Sequence, residues 1–254
     1  MSEAVHGPGG LSDDRFLGGR VRALQPKGGF RAAIDSVLLP AAVEARNGLN
    51  VLDAGAGGGI AALCLIAREP SFRVTAVESQ RELAALAVEN ARRNTIALNI
   101  QCTDLLVWRA PQPFDQVMTN PPYFEADEGT QPPVQGKARA NVGPGIKAWL
   151  DACLSHLKPG GVLTLIHRAE READIVAALE GKAGEIEILP FIPRAGEAPK
   201  RILVRARKGA SVRVRRWPGF VLHGDVAKYT DAAEAVLRHG ESLAWGDDKP
   251  RPTP

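Results

Sequence analysis

Cysteine is scarce in this 254-residue chain. Cys64, Cys102 and Cys153 are scattered and form no C-x-x-C pair. That spacing argues against a disulfide framework or a thiolate metal site, and fits small core residues in a reducing compartment. The five histidines show no ligand spacing either, so no metal is expected. Long apolar runs are also missing. The longest uncharged one, 60-IAALCLIA-67, falls far short of the ~20 residues that span a bilayer. The opening 1-MSEAVHGPGG-10 has no basic region followed by an apolar one, so no signal peptide is expected and a cytoplasmic location is the default expectation. No internal repeat is present. The net charge of +3 is only mildly basic, so where the charges sit matters more than their sum.

What is present is enough apolar residue, 44%, to bury one substantial core. Strand and helix patterns alternate along it. Strands are expected at 50-NVLDA-54, 73-RVTAVE-78, 99-NIQCTD-104, 114-FDQVMTN-120 and 162-VLTLIH-167. Helices are expected at 60-IAALCLIAR-68, 80-QRELAALAVENARRN-94, 146-IKAWLDACLSHL-157, stopped by 158-KPGG-161, and 170-EREADIVAALEG-181. Two further strands, 185-EIEILPF-191 and 201-RILVRAR-207, have no helix between them. The pattern predicts an α/β fold: a doubly wound, seven-stranded, Rossmann-like sheet that ends in an antiparallel hairpin. Residues 1–14 and 246–254, rich in Gly, Pro and charge, read as disordered tails. Residues 15–48 read as an N-terminal extension, a strand piece plus a helix around 33–45, packed on a main domain over 49–245.

The first strand runs into 53-DAGAGGG-59, where Gly55, Gly57 and Gly59 let the backbone turn tightly and approach a ligand at a helix N-terminus. The dinucleotide fingerprint G-x-G-x-x-G fails here, because counting from Gly55 puts Ile60 at the third glycine. Asp53 at the strand tip would repel a pyrophosphate and attract an ammonium. Glu78 ends the second strand at the spacing of an acid that takes ribose hydroxyls, and Asp104 ends the third, where an adenine amine could find an acceptor. Acids at strand ends also cap helices and turns. Three in succession on the carboxyl edge favour a nucleoside that carries a cation.

After the fourth strand comes 120-NPPYF-124. This series, D-x-G-x-G-x-G, the acids ending strands two and three, and N-P-P-Y after strand four, resembles the class I S-adenosylmethionine-dependent methyltransferases over roughly residues 17 to 230. The resemblance implies S-adenosylmethionine as cofactor, held by Asp53, Gly55, Gly57, Gly59, Glu78, Asp104 and Asn120. An exocyclic amine or an amide is a poor nucleophile, because its lone pair is delocalised. Acceptors for its two hydrogens, the Asn120 side-chain carbonyl and the Pro121 backbone carbonyl, would turn the lone pair toward the methyl group. Tyr123 would lie against a planar substrate, with Phe124 as a second wall.

N-P-P-Y occurs in enzymes acting on adenine in nucleic acid and in those acting on glutamine in release factors. The glutamine enzymes carry a helical N-terminal domain, and residues 16–43 are too short and too weakly helical for one. Nine basic residues fall within 194–216 against the single acid Glu197, either a solvated face or a phosphate footprint. The segments 28-GGFRAAIDSVLL-39, 137-KAR-139, 197-EAPKRILV-204 and 222-LHGDVAKYT-230 are similar to the tRNA adenine-N6 methyltransferases that act beside a valine anticodon. That likeness implies Asp35 and Phe30 at the cofactor and tRNA as partner; Lys137 and Arg139, just past the N-P-P-Y loop, and Arg194, Lys200 and Arg201 from the basic run are the candidate RNA contacts. Protein-glutamine and rRNA guanine methylation are the rivals that share the cofactor. A nicotinamide oxidoreductase and a non-catalytic RNA binder are the rivals outside that class.

Overall fold

The computed structural model describes residues 10–28, 31–122, 124–125, 142–143, 145–243 and 245. The chain opens with an antiparallel hairpin, β1 (Leu11–Phe16) and β2 (Val21–Pro26). Its turn places Leu17, Gly18 and Gly19 at positive φ. A Cβ on Gly18 would sit 2.9 Å from the Arg238 carbonyl oxygen, so the glycine lets the C-terminal helical segment cross the turn. β1 begins inside the stretch read as a tail. Two aspartates are poor strand formers, but Asp13 pairs with Arg22 and Arg93, and Asp14 with Arg31. Tertiary partners override local propensity here.

α1 (Asp35–Ala41) follows and carries Pro40 in its last turn. Next come β3 (Asn50–Ala54), α2 (Ile60–Arg68), β4 (Arg73–Glu78), α3 (Arg81–Arg93), β5 (Asn99–Cys102) and β6 (Phe114–Thr119). Two short strands, β7 (Phe124–Glu125) and β8 (Val142–Gly143), pair with each other. The chain continues through α4 (Ile146–Ser155), β9 (Leu157–Arg168), α5 (Glu172–Leu179), β10 (Ala183–Ile192) and β11 (Arg201–Lys208). It closes with β12 (Val214–Arg216), β13 (Phe220–Val221), α6 (Asp231–Glu234) and a π-helical turn over Ala235–His239.

The central sheet runs β5-β4-β3-β6-β9-β11-β10, parallel except for β11. The expected antiparallel hairpin is there, at one end of the seven strands, with its second strand β11 inserted between β9 and β10. The short β12 and β13 add parallel pieces outside β10. Val212 and Val214 are exposed. The helix stops ahead of 158-KPGG-161 as expected, but the residues of that segment belong to a strand. α4 ends at Ser155, and β9 runs through Pro159 and Gly160. Its register against β6 shifts between Phe114 and Gln116, which absorbs the two strand-breaking residues. Lys158 pairs there with Asp115 (2.5 Å), which also accepts from the Asn50 N–H.

One apolar cluster joins α1, α2 and the N-terminal hairpin through Val37, Leu63, Leu17 and Val21; the other joins α4 and α5 through Leu150, Leu154, Ile175 and Leu179. Helices therefore cover both faces, and the carboxyl edge of the parallel strands is left for a ligand. Among the described residues, no helix is long and apolar enough to cross a membrane, and no group of three or more His, Cys, Asp or Glu could hold a metal.

Candidate active site

Strand order reverses between β3 and β6. From β3 the chain builds outward through β4 and β5; from β6 it builds the other way through β9. In open α/β sheets the crevice outside such a switch point is where ligands sit. Asp53 comes from β3 and Asn120 follows β6, so the two flanking strands deliver both to one narrow cleft, shared with Gly55, Gly58, Gln25 and Ser36.

The two polar groups there have unmet demands. Asp53 is 2% exposed and its Oδ2 has no hydrogen-bond partner. Burial pushes its carboxyl up to about 7, with a smaller push from the Glu78 charge and an opposing pull from the Ala62 backbone. The Asn120 Oδ1 is likewise buried without a partner. Buried acceptors are normally satisfied, and an orphan costs on the order of 1–3 kcal/mol. Two in one cleft fit a ligand that brings donors, and the carboxylate calls for a cation.

The glycine loop is held from several sides. Gly55, Gly57 and Gly59 have φ of 75°, 56° and 80°, which L side chains rarely adopt. Gly55 has a second constraint: a Cβ would lie 2.9 Å from the Trp149 ring. Its close neighbour is thus an indole of α4. The Trp149 Nε1–H donates to Thr119 Oγ1 (3.0 Å), which donates to the Ala54 carbonyl (2.8 Å). This chain ties the ends of β3 and β6 together. Asn90, fully buried on α3, does the same for the N-terminal hairpin. Its Nδ2 donates to the carbonyls of Leu24 and Gly58, and its Oδ1 accepts from the Leu24 N–H. Trp149, Thr119 and Asn90 had no signal in the sequence beyond a buried position on a helix or strand.

The other acids are placed differently from one another. Glu78 is buried, and its carboxylate accepts from the N–H groups of Gly57 (2.8 Å) and Gln80 (2.8 Å). Burial raises its pKa, and those backbone bonds pull the other way. Glu78 therefore braces the glycine loop. Asp104 is exposed and accepts from the Leu106 N–H, capping the turn after β5. Asp35 opens α1 and pairs with Arg201 (3.2 Å), so the structure brings together two residues assigned to different ligands.

The basic footprint divides. β11 is antiparallel, so Arg201, Lys200 and Arg194 lie at the carboxyl edge. Arg205 and Arg207 lie toward the opposite edge, roughly 13–20 Å along the strand. The Arg194 guanidinium donates to the Gly224 carbonyl (2.7 Å) and pins the 222–230 segment. Arg205 pairs with Glu187 (2.5 Å) and stacks on Trp245; Arg207 pairs with Glu185 (2.9 Å); Arg216 pairs with Glu172. These acids come from other segments and were invisible in a local charge count. Three of the six basic residues in the far half of the run, Arg205, Arg207 and Arg216, are therefore paired with acids. Phe30, Tyr123, Lys137 and Arg139 lie outside the described residues, as does the side chain of Phe124.

Sheet order, switch-point cleft, glycine loop and acceptor pair together define a Rossmann-like methyltransferase. The family model described as methyltransferase small domain matches residues 31–190. The chain belongs to that family. It is 29% identical over 183 residues to a tRNA1(Val) (adenine(37)-N6)-methyltransferase of Aeromonas hydrophila, covering 71% of this chain and 78% of that one. An enzyme of the same name from Bacteroides thetaiotaomicron is 28% identical over 183 residues, covering 69% and 76%. Among solved structures, an Agrobacterium tumefaciens protein described as a predicted O-methyltransferase superposes with a TM-score of 0.69 at 25% identity, over 85% of this chain and 100% of that one. A methyltransferase from Pyrococcus furiosus gives 0.55 at 18% identity, over 75% and 90%, and speaks for the fold alone.

Proposed function

We propose that the chain methylates the N6 amine of an adenosine in tRNA, with S-adenosylmethionine as methyl donor. The observation that carries this is the pair of unsatisfied buried acceptors, Asp53 Oδ2 and Asn120 Oδ1, in one cleft at the switch point of the sheet. The names of the tRNA1(Val) relatives support adenosine in tRNA as the acceptor and suggest a valine-type tRNA and its position 37.

S-adenosylmethionine, when bound, supplies an electrophilic methyl group on a sulfonium. Asp53 would hold the ammonium of its amino-acid end, and the positive-φ glycine loop would give that end a close approach. Glu78 holds the loop and keeps lone pairs for ribose hydroxyls; Asp104 stands at the next strand end for the adenine. The acceptor side belongs to Asn120 and Pro121. The Asn120 Oδ1 and the Pro121 carbonyl would accept hydrogen bonds from the two N6–H groups, which would turn the nitrogen lone pair out of the ring plane toward the methyl donor. Pro122 fixes the turn, which makes the acceptors pre-placed and not recruited. Attack would form the N–C bond as the S–C bond breaks and its electron pair stays on sulfur as a neutral thioether; the methylated nitrogen, then acidic, would shed its proton to solvent, so no residue is needed as a strong base. Tyr123 and Phe124 wall the base, and Lys137, Arg139, Arg194, Lys200 and Arg201 meet the RNA backbone.

The test compares nucleosides from tRNA of a strain lacking this chain with those of its parent. N6-methyladenosine missing from one tRNA and restored by the wild-type copy is the expected result. An unchanged tRNA profile overturns the assignment.

A further inference from the structure

A second cavity, of about 560 Å³, opens on the far side of α1 from the cofactor cleft. Four segments distant in sequence form it: the β1–β2 turn, the first turn of α1, the Lys228–Tyr229 loop and the C-terminal helical turn. α1 is the shared wall. Ser36 and Leu39 line the cleft, while Ile34 and Val37 line the second cavity. The two sites are therefore one helix width apart, about 10 Å.

The chemistry of the lining is one-sided. Its charged members are Arg15, Lys228 and Arg238, with no carboxylate among them. Arg238 is paired with Glu234 (2.7 Å); Arg15 and Lys228 are exposed at the rim. The floor is apolar, from Ile34 and Val37. The Lys228 loop is a built feature: Arg194 bonds the Gly224 carbonyl, and His223 stacks on Tyr229 with ring centres 5.3 Å apart. Cations around an apolar floor suit a nucleotide, its phosphate on the rim and its base on the floor. The charged lining offers donors to an anion, and the aromatic and aliphatic residues beside them offer a surface for a base, a combination that a nucleotide satisfies with one residue of its chain.

We infer that this cavity seats a nucleotide of the RNA strand next to the one whose base enters the catalytic cleft, with its phosphates on Arg15 and Lys228. The inference rests on the tRNA reading above and adds a second point of attachment for the strand. It also gives the 222–230 loop a purpose: to carry Lys228 to the rim.

The experiment uses the full chain with Arg15→Ala and Lys228→Ala combined, and Arg46→Ala as an exposed control at the opposite edge of the sheet. Binding of a tRNA transcript is followed by fluorescence anisotropy across a salt series, and methylation is measured for KM and kcat. Removing one cation from a phosphate lowers the log–log salt slope by about 1. The double variant is expected to show a slope smaller by about 2 and an affinity weaker by roughly 10- to 50-fold. KM should rise by a similar factor, with kcat and cofactor affinity within about twofold, and Arg46→Ala should match the wild type. Unchanged affinity and slope in the double variant, while the wild type methylates tRNA, overturns the cavity's role alone. A wild type that neither binds nor methylates any RNA overturns the substrate assignment and this inference with it.

Discussion

Replacing Asp53 by Asn should weaken cofactor binding and strengthen the empty fold at the same time. The carboxyl is 2% exposed and burial raises it from 3.8 to about 7. A raised folded-state value means the native protein holds the proton more tightly than the unfolded chain does. The stabilisation is full below about pH 4 and is lost as pH climbs toward 7. At pH 8 the ionised group then costs roughly 4 kcal/mol, taking about 1.36 kcal/mol for every pH unit that separates the folded and unfolded values. Asparagine removes the charge but brings an amide with donors of its own to satisfy, so the recovered stability should be about 2–4 kcal/mol. The same change deletes a charge-assisted bond to the cofactor ammonium, worth about 1.5–3 kcal/mol, or roughly 10- to 150-fold in Kd. The wild type should also bind about tenfold more weakly at pH 6 than at pH 8, because binding must first expel the proton. The variant should lose that dependence. Denaturant unfolding at pH 8 and calorimetric titration at both pH values read the two effects. A variant that binds the cofactor as tightly as the wild type refutes the assigned role of the carboxylate.

Asn120→Ala should cost roughly 2–4 kcal/mol of activation barrier while cofactor affinity stays within a few-fold, as expected for a pre-placed acceptor; single-turnover rates and a binding titration separate the two. Gly55→Ala should destabilise the fold by about 1–3 kcal/mol, since φ is 75° and the new methyl meets Trp149 at 2.9 Å; thermal unfolding checks it. Asn90→Ala leaves the Leu24 amide and two carbonyls without their partner, so stability should fall by roughly 2–4 kcal/mol. Amide exchange should then quicken in Val21–Pro26 more than in the central strands.

The glycine loop, the strand-end acids and Asn120 could be read from the chain because each depends on local spacing. The structure puts Asp53 and Asn120 in one cleft because β3 and β6 are neighbours, which the alternation of elements already implied. Four things were hidden for physical reasons. The acids that neutralise Arg205, Arg207 and Arg216 arrive from other segments, so a local count overstated the free charge. Pro159 and Gly160 carry stop signals, yet a register shift against Asp115 lets β9 pass through them. Asp104 and Glu78 look alike in sequence, as acids ending strands, but burial and two backbone bonds distinguish the brace from the exposed turn cap. Gly55 is a further case: its spacing suggested room for a ligand, and the nearest atoms are those of Trp149.

The most direct measurement incubates the purified chain with bulk tRNA and isotope-labelled S-adenosylmethionine, then resolves the digested nucleosides by mass. A carbonyl pair that holds an exocyclic adenine amine should put the label in N6-methyladenosine, and Asn120→Ala should nearly abolish it. Label found only in guanosine, or only in a release-factor glutamine when that protein is supplied, would contradict the account.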